Sequence, residues 1–146
     1  MESLRTFILL FLTLLSGCAG MAQAPDLIAP RAGKAVVYIY RVDLSPADTD
    51  RMVPNVRVND ESIGPLTRRG YFRVEVDPGP AQVALYRLDR GYETFWPAAQ
   101  DVIVNLELAP NSTHFVELSL STATFSFRET SRDAALQALS GKFSLN

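Results

Sequence analysis

From residue 34 onward, apolar residues recur at every second position in short runs broken by Pro, Gly, Asn and Asp, a pattern that confines this part of the chain to β structure. Residues 34–42 are apolar on both parities, with Val36, Tyr38 and Tyr40 set against Ala35, Val37 and Ile39, so the pattern predicts a central strand covered on both faces. Residues 54–59 alternate, Val56 and Val58 inward against Asn55, Arg57 and Asn59 outward, and residues 71–76 do the same through Phe72, Val74 and Val76. In Asp77-Pro78-Gly79-Pro80, Pro78 supplies a φ near about −65° and Gly79 accepts a positive φ, so this turn is expected to join 71–76 to 81–88 as a hairpin. A second hairpin is expected where Ala109-Pro110-Asn111-Ser112 separates 102–108 from 113–120, and Phe125 with Phe127 marks one more short strand. Thr130 and Asp133 have the spacing of a capping box, Leu136 and Leu139 follow three apart, and Gly141 ends the helix. The expectation is a mainly β fold over residues 34–146, an antiparallel β-sandwich of about seven strands with one short C-terminal helix.

The first residues have a different logic. Arg5 precedes a nine-residue, largely apolar run from Phe7 to Leu15, the pattern of an export signal and too short for a membrane-spanning helix, which needs about 20 residues. The run closes on Leu15-Ser16-Gly17-Cys18, a branched apolar residue, two small residues and a cysteine, which looks like the lipobox of bacterial lipoproteins. Small side chains at Ser16 and Gly17 let a peptidase hold the backbone closely, and the Cys18 sulfur is a nucleophile able to accept diacylglycerol. Cleavage between Gly17 and Cys18 is expected, so residues 1–17 read as a signal peptide and 18–33 as a lipidated amino terminus and tether, with Gly20, Pro25, Pro30 and Gly33 as linker residues. A flexible stretch of that length reaches about 20 Å. Two acyl chains give stable anchoring at about 0.8 kcal/mol per buried CH₂. The competing reading is a soluble secreted protein cut after Ala22-Gln23-Ala24, against which stands Pro25 immediately beyond the cut. Ala19, rather than an acidic residue, after the cysteine implies sorting to the outer membrane, facing the periplasm, in hosts that have that pathway.

Composition removes several classes. With 14 Lys and Arg against 16 Asp and Glu, the formal net charge is −2, so no basic field exists to attract nucleic acid. One cysteine makes no internal disulfide, and with one histidine, His114, a Cys and His zinc site is excluded; no metal and no cofactor is expected.

The segments Ala35-Val36-Val37-Tyr38-Ile39-Tyr40-Arg41, Val56-Arg57-Val58-Asn59-Asp60, Ile63-Gly64-Pro65-Leu66, Gly70-Tyr71-Phe72 and Asp77-Pro78-Gly79 resemble an uncharacterised family of small envelope lipoproteins with a domain of unknown function. The likeness runs from about Lys34 to Leu139, and its central part is similar to PEGA-type modules, β-sandwiches that decorate surface proteins. The resemblance implies fold and brings no catalytic residue. Where the family carries a glycine before its later aromatic strand, this chain has Pro110-Asn111-Ser112, and Asn tolerates the left-handed φ such a turn needs.

Candidate sites are few. His114 shares strand parity with Val116, Leu118 and Leu120, and no local spacing supplies the nucleophile and acid of a triad. Asp43, Asp48 and Asp50 lack the spacing of a calcium loop and read as solvated. Arg68 and Arg69 suit either an anionic partner, such as lipid phosphate or an acidic glycan, or a plain soluble turn. Residues 89–100 read as an aromatic loop in which Tyr92, Phe95 and Trp96 form a recognition surface or fold back as a lid on the sandwich. For a hydrolase only carboxylates such as Glu75, Asp101 and Glu107 are on offer as acid and base, and their outward parity points to solvent. The expected function is therefore a noncatalytic, membrane-anchored interaction or assembly module with an envelope protein partner; the alternative is a small-molecule or glycan-binding lipoprotein using the aromatic loop.

Overall fold

The computed structural model describes residues 27–44, 53–89, 92–95, 102–121 and 125–145. Among these residues the strands are β1 (Ala35–Asp43), β2 (Asn55–Val58), β3 (Glu61–Pro65), β4 (Gly70–Val76), β5 (Gly79–Asp89), β6 (Tyr92–Phe95), β7 (Ile103–Leu108), β8 (Thr113–Leu120), β9 (Phe125–Glu129) and β10 (Phe143–Ser144), with one helix, α1 (Arg132–Leu139). One sheet has the order β10-β4-β1-β8-β9; the other runs β3-β2-β5-β6, with β7 also paired to β5. All seven expected strands are present, and the fold is mainly β in two sheets with a short C-terminal helix. The shorter β3, β6 and β10 are additional.

Strand β1 organises both layers because it is buried from Ala35 through Arg41. Ala35, Val37 and Ile39 enter the core between the sheets with Val56, Leu85, Leu106 and Leu118, whereas Val36, Tyr38 and Tyr40 enter a second cluster under α1 with Phe115, Ala135 and Leu139. A side chain such as Ile39, fully buried, contributes about 1.5–3 kcal/mol by leaving water. Tyr38 stacks on Phe115 at 5.6 Å between ring centroids, which helps hold the outer cluster in place.

Both expected hairpins are absent. A strand apolar on both faces needs a covered neighbour on each edge, and β1 takes β4 on one side, antiparallel, and β8 on the other, parallel, with Val36 opposite Thr113 and Asp43 opposite Leu120. The first sheet is thus mixed, since β10 also runs parallel to β4, whereas every pairing in the second sheet is antiparallel. Each turn therefore carries the chain between sheets: Asp77 and Pro78 lead from β4 into β5, which pairs with β2, β6 and β7, and residues 109–112 lead from β7 back to β8. The local turn chemistry holds nonetheless, with φ +122° at Gly79 and +61° at Asn111.

Three further expectations change in detail. Asp89 ends β5 and Tyr92–Phe95 pairs with it as β6, Tyr86 opposite Phe95 and Asp89 opposite Tyr92, so the stretch read as an aromatic loop is in part an edge strand. Aromatic and β-branched residues in Tyr92-Glu93-Thr94-Phe95 favour a pleated strand over a loop. The helix is capped by Ser131, whose side chain accepts from the Ala134 N–H, because the Thr130 N–H is engaged by the Phe115 carbonyl. Residues 27–31, read as the end of a tether, are held against the outer face of the first sheet: Leu27 packs on the second cluster, Tyr38 Oη accepts from the Ile28 N–H at 3.2 Å, and Arg73 donates to the carbonyl of Ala29.

Candidate functional site

Polar side chains concentrate at the two ends of the β1–β8 pair. At the far end of β1, Arg41 and Asp43 continue the inward parity of Ala35, Val37 and Ile39, so they close the inter-sheet core instead of facing solvent. Arg41 is 1% exposed and grips Asp43, with Nη2 at 2.5 Å and Nε at 2.7 Å from Oδ1. Arg68 reaches the same carboxylate from the β3–β4 connection at 3.9 Å. The C-terminal segment adds a third cation, Lys142, whose Nζ donates to the Arg68 carbonyl at 2.8 Å.

Strand β10 brings that segment in. The Phe143 N–H donates to the Arg69 carbonyl and the Leu145 N–H to the Tyr71 carbonyl. Gly70 makes the approach workable, since a Cβ there would collide with the Leu145 side chain.

Two adjoining clefts open over this cluster. One, of about 630 Å³, is lined by Arg41, Val53, Thr67, Arg68, Arg69 and Phe143. The second, of about 320 Å³, shares Arg68 and Arg69 and adds Val42, Asp43, Ala138 and Lys142. Among the described residues of these walls, four cations face one carboxylate. Lys142 is held below the ordinary lysine pKa by burial, with the Arg41 and Arg68 charges adding to the effect and Asp43 opposing it.

At the opposite end, His114 lies between two partners: Nδ1 is 2.7 Å from Glu129 Oε1 and Nε2 is 3.0 Å from Ser112 Oγ. This is the order of a nucleophile, a base and an orienting acid. Acyl transfer also needs amide donors aimed at the developing oxyanion. Here the Ser112 hydroxyl donates to the Ala109 carbonyl at 2.6 Å, the Ser112 N–H donates to that same carbonyl, and the Asn111 N–H donates to the Lys34 carbonyl. The trio fastens the 109–112 turn and strand β9 around the start of β8.

Of the residues singled out in the sequence, Arg68 and Arg69 are thus brought into one cleft. Tyr92 and Phe95 belong to β6, paired with the end of β5, and Trp96 lies outside the described residues, as do Cys18 and Gly17. Asp43 is committed to Arg41, while Asp48 and Asp50 lie outside the described residues. Glu75 is not merely solvated: Arg31 bonds it through both its guanidinium and its N–H, the latter at 3.1 Å, and Arg73 adds a bond at 3.2 Å. These bonds, the Arg31 side chain foremost, pull the Glu75 carboxyl down to about 2. Glu107 is exposed on β7, and Asp101 lies outside the described residues.

Arg41 and Lys142 were missed by sequence reasoning. Arg41 carried a signal, a cation in an otherwise doubly covered strand with an acid two positions later on the same face. Lys142 carried none, because its place depends on β10 pairing with β4. Among the described residues no group of three or more His, Cys, Asp or Glu is placed to hold a metal ion, and no helix is long and apolar enough to cross a membrane.

No curated protein and no solved structure matches this chain. Residues 31–131, which run from the docked Arg31 to the helix cap Ser131 and so take in every strand from β1 to β9, match a family described as a protein of unknown function, and the chain belongs to that family, DUF2846.

Proposed function

We propose that this protein is a lipoprotein of the bacterial cell envelope, anchored through lipid on Cys18 in the outer membrane and facing the periplasm, and that its β-sandwich is a noncatalytic interaction or assembly module. The observation that carries this reading is the arrangement Leu15-Ser16-Gly17-Cys18 with Leu27, docked on the second cluster, only nine positions later. Nine steps of chain span at most about 32 Å, so a lipid on Cys18 keeps the outer face of the first sheet close to the membrane surface. Likeness of the central strands to PEGA-type modules, which decorate surface proteins, points the same way. So does the engagement of Ser112 and of the neighbouring amides in a turn instead of a reacting site.

Metabolic labelling with radioactive palmitate tests the anchor. The expected result is a labelled band of processed mass that disappears in Cys18→Ser, with the variant lost from the membrane fraction. An unlabelled wild-type band of processed mass refutes it. Crosslinking in intact cells then identifies the partner protein; the expected outcome is a discrete adduct that survives in the wild type and is lost on mislocalisation by Cys18→Ser.

A further inference from the structure

Residues 27–31 are held to the outer face of the first sheet at successive levels of β4. The Arg31 side chain and N–H bond Glu75, the Ile28 and Ala29 carbonyls accept from Arg73 at 3.4 and 3.1 Å, and the Ile28 N–H donates to Tyr38 Oη. Beyond them Leu27 packs into the cluster that holds Tyr38 and Tyr71. Glu75, Arg73 and Tyr71 lie two apart and share one face of β4, so the segment runs along that strand with its backbone fastened to the sheet.

A fastened backbone fixes where the side chains go. Leu27 turns inward, whereas its neighbour Ile28 turns outward and is 65% exposed, the largest exposure of any large hydrophobic residue among those described. Ala29 beside it is exposed as well. Arg31 follows, bonded to Glu75 with its side chain 76% exposed. An apolar side chain held in water by a fixed backbone gains by entering an apolar medium, and a cation three residues further on suits the polar boundary of a lipid layer.

We propose that Ile28 enters the surface of the membrane that carries the lipid on Cys18, so that residues 27–31 form a two-sided strap, bound to the sheet by Leu27 and the backbone and to the bilayer by Ile28. This rests on the anchoring proposed above. Ten steps of chain separate Ile28 from Cys18, a reach of at most about 36 Å, so the side chain lies on the part of the domain that the anchor keeps nearest the lipid. One isoleucine does not hold a protein on a bilayer. With the acyl chains already inserted, its contact is intramolecular in effect and sets orientation instead of affinity. The outer face of the first sheet then lies against the membrane, and the outer face of the second sheet, where Asn105 and Glu107 are exposed on β7, points away from it.

The test uses the lipidated chain in vesicles of phosphatidylcholine. In that chain a thioether occupies Cys18, the single cysteine of the sequence, so Ile28→Cys or Glu107→Cys introduces the one free thiol, which takes an environment-sensitive nitrobenzoxadiazole dye. Both positions are exposed, so neither substitution disturbs the core. The dye at Ile28→Cys is expected to emit further to the blue than at Glu107→Cys, and to be quenched when part of the phosphatidylcholine carries a nitroxide on its acyl chain. The dye at Glu107→Cys is expected to be untouched by the nitroxide. Amide exchange at Ile28 and Arg31 is expected to stay slow in the same vesicles, because the strap remains on the sheet.

A palmitate-labelled protein whose Ile28→Cys dye is no more quenched than the Glu107→Cys dye overturns the proposal and leaves the anchor standing. Quenching at Ile28→Cys with fast exchange at both amides overturns it too, since the segment has then left the sheet. Absence of the palmitate label refutes the anchor, and the membrane contact of the strap falls with it.

Discussion

The two ends of the β1–β8 pair handle charge in different ways. At the start, Lys34 meets Asp77 at 2.5 Å, Arg31 and Arg73 meet Glu75, and His114 bridges Ser112 and Glu129, so each ionised group has a partner of opposite sign or a hydrogen-bonding one in reach. At the far end Arg41 and Arg68 both reach the carboxylate of Asp43, with Arg69 and Lys142 on the walls of the adjoining clefts. Strand geometry is the same at both ends, and the loops delivered there differ. Polar side chains fasten both ends of the sandwich, through exposed pairs such as Lys34–Asp77 at the start and through the buried Arg41–Asp43 pair at the far end.

The sharpest way to break this contrast is to remove the centre of each cluster. Arg41→Leu leaves the Asp43 carboxylate, 4% exposed, without its closest cation, and a loss of about 3–5 kcal/mol is expected in urea unfolding. A loss below about 1 kcal/mol would mean that the pair does not hold the end of the core. His114→Gln at the other end is expected to cost no more than about 1 kcal/mol in the same assay, because Glu129 is 48% exposed and water competes for the bond. Equal losses at the two ends would erase the distinction.

The smallest expected effect concerns Glu75. Its folded carboxyl sits at about 2 against an ordinary 4.5, so the docking it supports is complete above about pH 4.5 and fades as the pH falls through about 2. Hydrogen exchange at the Ile28 and Arg31 amides is expected to accelerate across that window, and Glu75→Gln is expected to remove the dependence. Exchange that is flat with pH in the wild type would show that Leu27 packing, and not the ion pair, secures the segment.

How much was legible follows from what period two reports. Alternation states that one face of a strand is buried, which is why Val56 and Val58, or Phe72, were placed correctly from the sequence. It says nothing of which strand lies alongside, so the hairpins expected at 77–80 and 109–112 gave way once β1 claimed β4 and β8. For the candidate site, Arg68 and Arg69 were visible as an adjacent pair of donors. Arg41 was hidden inside an apolar run, and Lys142 and Phe143 arrive only through β10, two residues long and without a periodic signal. Ser112 is two residues from His114 on the same parity, but Glu129 joins them through the register of β9 against β8.

What the amino-acid order determined by itself is local: a strand within 34–42 covered on both faces, turns that accept positive φ at Gly79 and Asn111, and a capped C-terminal helix. Those properties arise from sterics and solvation within a few residues. Only tertiary structure decided which sheet each strand joined and which charges met. Pairing along a sheet brings together residues as distant as Arg41 and Lys142, and their mutual field exists only after the apolar faces have been buried.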